Sequence, residues 1–228
     1  VALQVAEQMS DYLLTGAVRN ALNMPAVTAE EAQVMGPWLK LSAHLGGFIG
    51  QMTDEPIKAI NILYDGSVSD MNLEALNCAV VAGIMKRSNP DVNLVSAPFI
   101  AKERGIQIST TNQDKSGAFE GYIKVTVETD IRERSVAGTV FSDGKPRFIQ
   151  IKGINIDAEI GAHMLYTTNK DVPGVIGTLG QIMGKNDVNI ANFTLGRAQK
   201  RGEAIALLYA DHPVPASVLK ELDDTGVF

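Results

Sequence analysis

His163-Met-Leu-Tyr-Thr-Thr-Asn169-Lys-Asp171-Val-Pro173-Gly174 runs from an alternating apolar pattern into a cluster of Asn, Asp, Pro and Gly. That is a strand, His163 to Thr168, entering a turn. Pro173 to Met183 then repeats its apolar residues at helical spacing, with Pro173 near the first helical position and Gly184 near the stop. Val188 to Leu195 and Ala204 to Ala210 read as strands, joined by a Lys200-Arg201-Gly202 turn, and Pro215 to Leu222 reads as a helix. The order β-α-β-β-α is the split βαβ pattern of ferredoxin-like folds, short of one closing strand where the chain stops at Phe228. We expect the first two of these strands to be parallel neighbours in the sheet.

Upstream, the pattern is mixed. Leu73 to Met85 and Ala97 to Arg104 read as helices, and Asn93 to Val95 as extended. Ile57–Tyr64, Ile106–Thr111, Gly121–Thr129, Arg134–Phe141 and Arg147–Ile151 alternate as strands. Ser142-Asp143-Gly144-Lys145 is a hairpin turn. Thr28 with Glu31 fits a capping box. Pro37 should split the helical region after it in two, with Trp38, Leu41, Leu45, Phe48, Ile49 and Met52 as the buried face of the second helix. Residues 1–15 form an amphipathic helix, with Val5, Met9 and Leu13 in line and Gly16 as its stop. Ala17 to Pro25 is an extended connector. The fold class is therefore α+β, a mixed α/β block followed by a ferredoxin-like one.

The chain has 228 residues, 45% of them hydrophobic and 20% charged, a globular composition. A formal charge of −6 does not suit a general binder of nucleic acid or of a membrane surface. Cys78 is the single cysteine, which excludes an internal disulfide and a thiolate metal cage. No apolar run approaches the ~20 residues of a membrane span. The start, Val1-Ala-Leu-Gln-Val-Ala-Glu7, lacks the basic head and cleavage pattern of a signal peptide. We expect a cytoplasmic protein, and a first residue of Val rather than Met suggests a fragment.

Catalytic chemistry is sparse. His44, His163 and His212 share no helix face at metal-ligand spacing, and there is no Walker loop or nucleophile elbow. Cys78 sits among apolar residues, as a buried small hydrophobe does. Gly174, Gly177 and Gly180 follow a strand, but at G-x-x-G-x-x-G spacing. A dinucleotide loop needs its second glycine two residues after the first, to let the backbone approach the pyrophosphate. The strongest polar constellation is the 169–174 turn together with Asn189 at the head of the next strand; plain turn chemistry explains it equally well. Lys145, Arg147 and Lys152 are candidates for an anion site beside the hairpin, since guanidinium and ammonium groups suit phosphate oxygens.

The segments Pro37-Trp-Leu39, Asn93-Leu-Val-Ser-Ala-Pro98, Ala101-Lys-Glu-Arg-Gly105 and Ile149-Gln-Ile-Lys-Gly153 resemble the intervening, allosteric substrate-binding domain of long-form D-3-phosphoglycerate dehydrogenases. Val1 to Gly16 and Asn20 to Pro25 resemble the last helix and exit segment of that family's catalytic unit. Asp171-Val-Pro-Gly-Val175 and Val188-Asn-Ile-Ala191 resemble an ACT domain, a small-molecule sensor. The resemblance covers essentially the whole chain. It implies three parts: 1–25 from the upstream unit, 26–160 the intervening domain, and 161–228 an ACT domain cut before its last strand.

This resemblance implies a regulatory region of an NAD-dependent enzyme of serine biosynthesis. The nicotinamide-binding domain and the catalytic histidine would lie upstream of Val1, so this segment would carry neither cofactor nor catalytic residues. It implies L-serine as effector, held between paired subunits by Asn169, Asp171, Pro173, Gly174, Asn189 and Ile190. Asn169 departs from the family pattern, which has an aromatic or imidazole side chain there. It further implies phosphate or substrate at the middle domain, and a homo-oligomer built through both domains, with no nucleic acid or membrane partner. The competing readings are a stand-alone amino-acid sensor, an RNA-binding module of the same strand order, and an unrelated small enzyme. The helix at 1–15 argues against the first. Phe193, Tyr166 and Tyr209 lack the surrounding motif of the second.

Overall fold

A computed structural model describes residues 1–18, 21, 28–114 and 117–228. The expected exit segment Asn20–Pro25 lies outside the described residues, Ala21 apart. The chain divides into two compact units, Val1–Arg147 and Phe148–Phe228.

In the first unit, α1 (Ala2–Thr15) ends at Gly16 in the left-handed region, as its sequence predicts. None of its residues is buried, so the apolar stripe of Val5, Met9 and Leu13 faces solvent. The Thr28 capping box forms in full: Thr28 Oγ1 accepts from Glu31 N at 3.2 Å, and Glu31 Oε2 accepts from Thr28 N at 2.8 Å. It opens α2 (Ala29–Gln51), which runs unbroken through Pro37, against the expectation of two helices. The residue before a proline avoids helical backbone because its Cβ meets the ring; Gly36 has no Cβ. Burial of Met35, Trp38, Leu41, Leu45 and Ile49 along one face offsets the lost hydrogen bond.

β1 (Ile57–Gly66) leads through a short 3-10 turn, Ser67–Asp70, into α3 (Leu73–Met85) and α4 (Ser96–Glu103). Residues 93–95 form a turn rather than an extended segment. β2 (Gln107–Gln113), β3 (Gly121–Thr129) and β4 (Glu133–Val140) follow, in the order β2-β1-β3-β4. β1 is parallel to β2 and antiparallel to β3. Helix α2 packs on β3, β4 and α3. Its approach to α3 is backbone-close: a Cβ on Gly46 would lie 2.1 Å from Val80 O, and one on Gly83 2.5 Å from Ala43 O. The hairpin turn closes with Phe141 N donating to Lys145 O at 3.1 Å, and opens β5 (Pro146–Ile151), within which the two units divide.

In the second unit, β6 (Ile154–Glu159) has no counterpart among the predicted strands. Its alternation, Ile154, Ile156 and Ala158 buried, is short and sits between charged residues. Then come β7 (Met164–Lys170), α5 (Val175–Lys185), β8 (Ile190–Arg197), β9 (Glu203–Ala210) and α6 (Ala216–Asp224), the predicted β-α-β-β-α order. The sheet order is β7-β9-β8, with both pairings antiparallel. β7 and β8 are therefore not neighbours, contrary to expectation: β9 lies between them, and they are its two edges. Leu179, Ile182 and Met183 of α5 pack with Val218 and Leu222 of α6 onto Ala206, Leu208 and Ala210 of β9. The opposite face buries Ile205 and Leu207, and β6 packs against β8 there: a Cβ on Gly196 would meet Asn155 O at 2.8 Å.

Candidate functional site

The turn from β7 into α5 gathers four of the six candidate ligand-binding residues. Asn169 is paired with Ala204 of β9 and faces the helices. It is 9% exposed; its Nδ2 donates to Lys170 O at 2.8 Å, and its Oδ1 has no partner among the described residues. Thr167, two residues earlier on the same face, also buries an unpartnered hydroxyl. A cavity of about 410 Å³ opens beside Asn169, lined by Thr168, Lys170, Val172, Glu203 and Phe228 among others.

Asp171 follows the strand. Its Oδ2 accepts from Arg201 N at 3.0 Å and from the Arg197 guanidinium at 3.2 Å. These two donors, the Arg201 amide first, hold the carboxyl below its usual range. Both contacts fall on Oδ2, and Oδ1 accepts none among the described residues. Pro173 lies outside α5 rather than at its first position, and the helix spans Val175–Lys185 rather than 173–183. The reason is Gly174: its φ of 96° is closed to a helical residue, so Gly174 becomes the cap. No side chain caps that end, so the first N–H groups of α5 are open at the positive end of the helix dipole.

Asn189 and Ile190 lie elsewhere. Ile190 pairs with Ala210, whereas Asn169 pairs with Ala204 of the same strand, six residues away. That offset is about 20 Å along a strand. The exposed Asn189 donates through Nδ2 to Asp211 Oδ2 at 2.7 Å, and Ile190 is half-buried against the helices. One chain thus holds Asn169, Asp171 and Gly174 at one end of its sheet and Asn189 at the other. The partners Arg197, Arg201 and Asp211 were not legible in the sequence, because they meet these residues through the β9 register rather than through spacing.

The basic candidates have local neighbours. The Arg147 guanidinium sits over the Phe141 ring at 4.7 Å, and Phe141 stacks on Phe119 with centroids 6.4 Å apart. The Lys145 N–H donates to Asp143 Oδ1 at 2.9 Å within the hairpin turn. Lys152, at a positive φ of 52°, forms an ion pair with Glu203. Lys145 and Arg147 belong to the first unit and Lys152 to the second.

Of the glycine triplet, Gly174 caps α5 and Gly177 and Gly180 lie inside it, with no protein atom within 4 Å of where a Cβ would stand. Cys78 is half-buried on α3, and burial with the nearby Glu74 charge pushes its thiol up, away from a reactive thiolate. No described helix is long and apolar enough to cross a membrane.

Comparison with known proteins adds a family. Residues 34–152 match the family described as the D-3-phosphoglycerate dehydrogenase intervening domain. Over 223 residues the chain is 33% identical to a D-3-phosphoglycerate dehydrogenase of Bacillus subtilis, covering 97% of this chain and 42% of that protein. It is 33% identical over 224 residues to one of Synechocystis, covering 97% and 40%. It is 29% identical over 223 residues to one of Methanocaldococcus jannaschii, covering 96% and 42%. The chain thus spans about two fifths of the length of the curated relatives it matches.

Proposed function

This chain belongs to the D-3-phosphoglycerate dehydrogenase intervening-domain family, and we propose that it is the regulatory part of such an enzyme, binding L-serine between two copies of its second unit. In this reading residues 26–160 are the intervening domain and 161–228 the ACT domain, and the NAD-dependent catalytic unit lies in the remaining length of the enzyme. The observation that carries it is the separation of the candidate residues to opposite ends of the β7-β9-β8 sheet. β8 is an edge strand. Antiparallel pairing of β8 with β8 of a second copy sets Arg197, and with it Asp171, beside the second copy's Asn189. Each two-fold dimer then has two equivalent sites, and each site draws on both chains.

The groups suit a free amino acid. Oδ1 of Asp171 accepts from the ammonium. The open N–H groups of α5 take the carboxylate. Asn189 supplies both a donor and an acceptor from the facing copy, and Asn169 lines the cavity at the end of β7. Loss of one charge-assisted hydrogen bond costs about 1.5–3 kcal/mol, at least about tenfold in affinity. Calorimetry with L-serine tests this. Binding should weaken at least about tenfold in Asp171→Ala and in Asn189→Ala. No heat at millimolar serine, or parental affinity in both variants, would defeat the reading.

A further inference from the structure

Among the described residues, three besides glycine have left-handed backbone: Lys152 (φ 52°), Asp187 (φ 56°) and Arg201 (φ 62°). Glycine enters that region freely, whereas a residue with a side chain stays there only where its surroundings hold it. Two of the three are joined through Glu203, all within the second unit. Lys152 and Gly153 form the two-residue turn between β5 and β6, where Asn-Gly, Asp-Gly or Gly-Gly is the favoured pair. From that turn the Lys152 ammonium pairs with Glu203, the first residue of β9. Two positions earlier in the chain, Arg201 donates its N–H to Asp171.

The turn between β8 and β9 is therefore fastened from two sides. Within it, Ala198 N donates to Glu203 O at 3.1 Å and Gly202 N donates to Gln199 O at 3.0 Å. On the ligand side, Asp171 N donates to Gly202 O at 3.0 Å, and Asp171 Oδ2 holds the Arg201 amide and the Arg197 guanidinium. On the other side, Glu203 is held by Lys152 and stands opposite Lys170 in the β7–β9 register. The hairpin that carries Lys152 is itself seated. Gln150 Nε2 donates to Asn155 Oδ1 at 3.0 Å, and a Cβ on Gly196 of β8 would stand 3.0 Å from Ile154 Cγ2. The paired side chains are 34% and 46% exposed, so the ion pair adds little to overall stability and its effect is on where the turn sits.

We propose that Lys152 is a positioning residue for the Asp171 site, acting through Glu203. The ion pair orders the 198–203 turn from one side, so that Arg201 and Arg197 hold Asp171 from the other with Oδ1 left open. A segment already ordered by one contact loses less freedom when a second forms, so the two contacts support each other. The support is reciprocal. Breaking the ion pair loosens the Arg201–Asp171 contact, and a ligand that orders Asp171 tightens the ion pair. Lys152 directly follows β5, the strand within which the two units divide. It is the point at which occupancy of the β7–α5 turn reaches that strand. The identity of the ligand rests on the L-serine reading; the coupling of the two contacts does not.

The test uses the full chain, with circular dichroism as the fold check. Amide exchange of the ligand-free chain reads the coupling. In Lys152→Gln the protection of the Arg201 N–H should fall about threefold, the size that a half-exposed ion pair supports. Glu203→Gln should lower it similarly, and the double variant no further than the larger single effect. Lys152→Arg keeps the charge and should keep the parental protection. Calorimetry should then show L-serine bound about threefold more weakly by Lys152→Gln and with parental affinity by Lys152→Arg. Parental protection of Arg201 in Lys152→Gln would overturn the proposal, as would additive losses in the double variant or a serine affinity that ignores the loss of the pair. Absence of serine heat with the parent chain would defeat the L-serine reading alone, and the exchange measurement would still decide the coupling.

Discussion

Asp171 is a single side chain that holds the fold locally and also stands in the proposed site. Its carboxylate ties the end of β7 to the 199–202 turn through the Arg201 amide and the Arg197 guanidinium. Its pKa in the folded chain is lowered, so this tie is present above the ordinary aspartate range and is lost as pH falls through the lowered value. The Arg201 amide resonance should therefore titrate with a midpoint below that of an ordinary aspartate. A midpoint at or above the ordinary value would contradict the contact. Thr167 gives a second prediction. Its buried hydroxyl has no partner among the described residues, and a lone buried polar atom usually costs about 1–3 kcal/mol. Thr167→Val should leave the urea midpoint unchanged or raise it; a clear drop would mean that the hydroxyl is satisfied. The sequence pointed to Asn169, Asp171 and Asn189 by residue type and place. It could not show that Asp171 is half engaged, because Arg197 and Arg201 reach it only through a register 30 residues of chain cannot advertise.

At the scale of elements, the α2–α3 crossing depends on missing side chains. Gly46 and Gly83 each face backbone across the interface, whereas Gly47, one residue on, has open space around it. Gly46→Ala should destabilise the chain by about 1–3 kcal/mol or more, since only backbone movement can make room. Gly47→Ala should be neutral or stabilise by up to about 1 kcal/mol, through helix propensity. Chemical denaturation of the pair checks this, and equal effects would contradict the crossing. The elements the sequence made legible are those with a long period or a local cap: α3 and β3 lie at their predicted residues, and the Thr28 box opens α2. Those it did not were decided by tertiary context. Pro37 is carried within a helix by the burial on either side of it, and β6 is a short strand whose apolar side has meaning only against β8. Sheet order is a further case, since alternation within β7 and β8 says nothing of the strand inserted between them.

For the whole molecule, the central claim is that the serine site is assembled from two copies, because one chain holds its halves at opposite ends of a sheet. Mixing two defective chains tests this most directly. Asp171→Ala and Asn189→Ala should each bind L-serine at least about tenfold more weakly than the parent. After subunit exchange, a heterodimer has one site that lacks both residues and one that has both intact. Random pairing puts half of the dimers in that mixed form, so calorimetry of an equal mixture should recover about a quarter of the sites at parental affinity. If the mixture, shown to have exchanged subunits, has no tight sites beyond those of the separate variants, then Asp171 and Asn189 do not serve one ligand across a dimer, and the account is wrong.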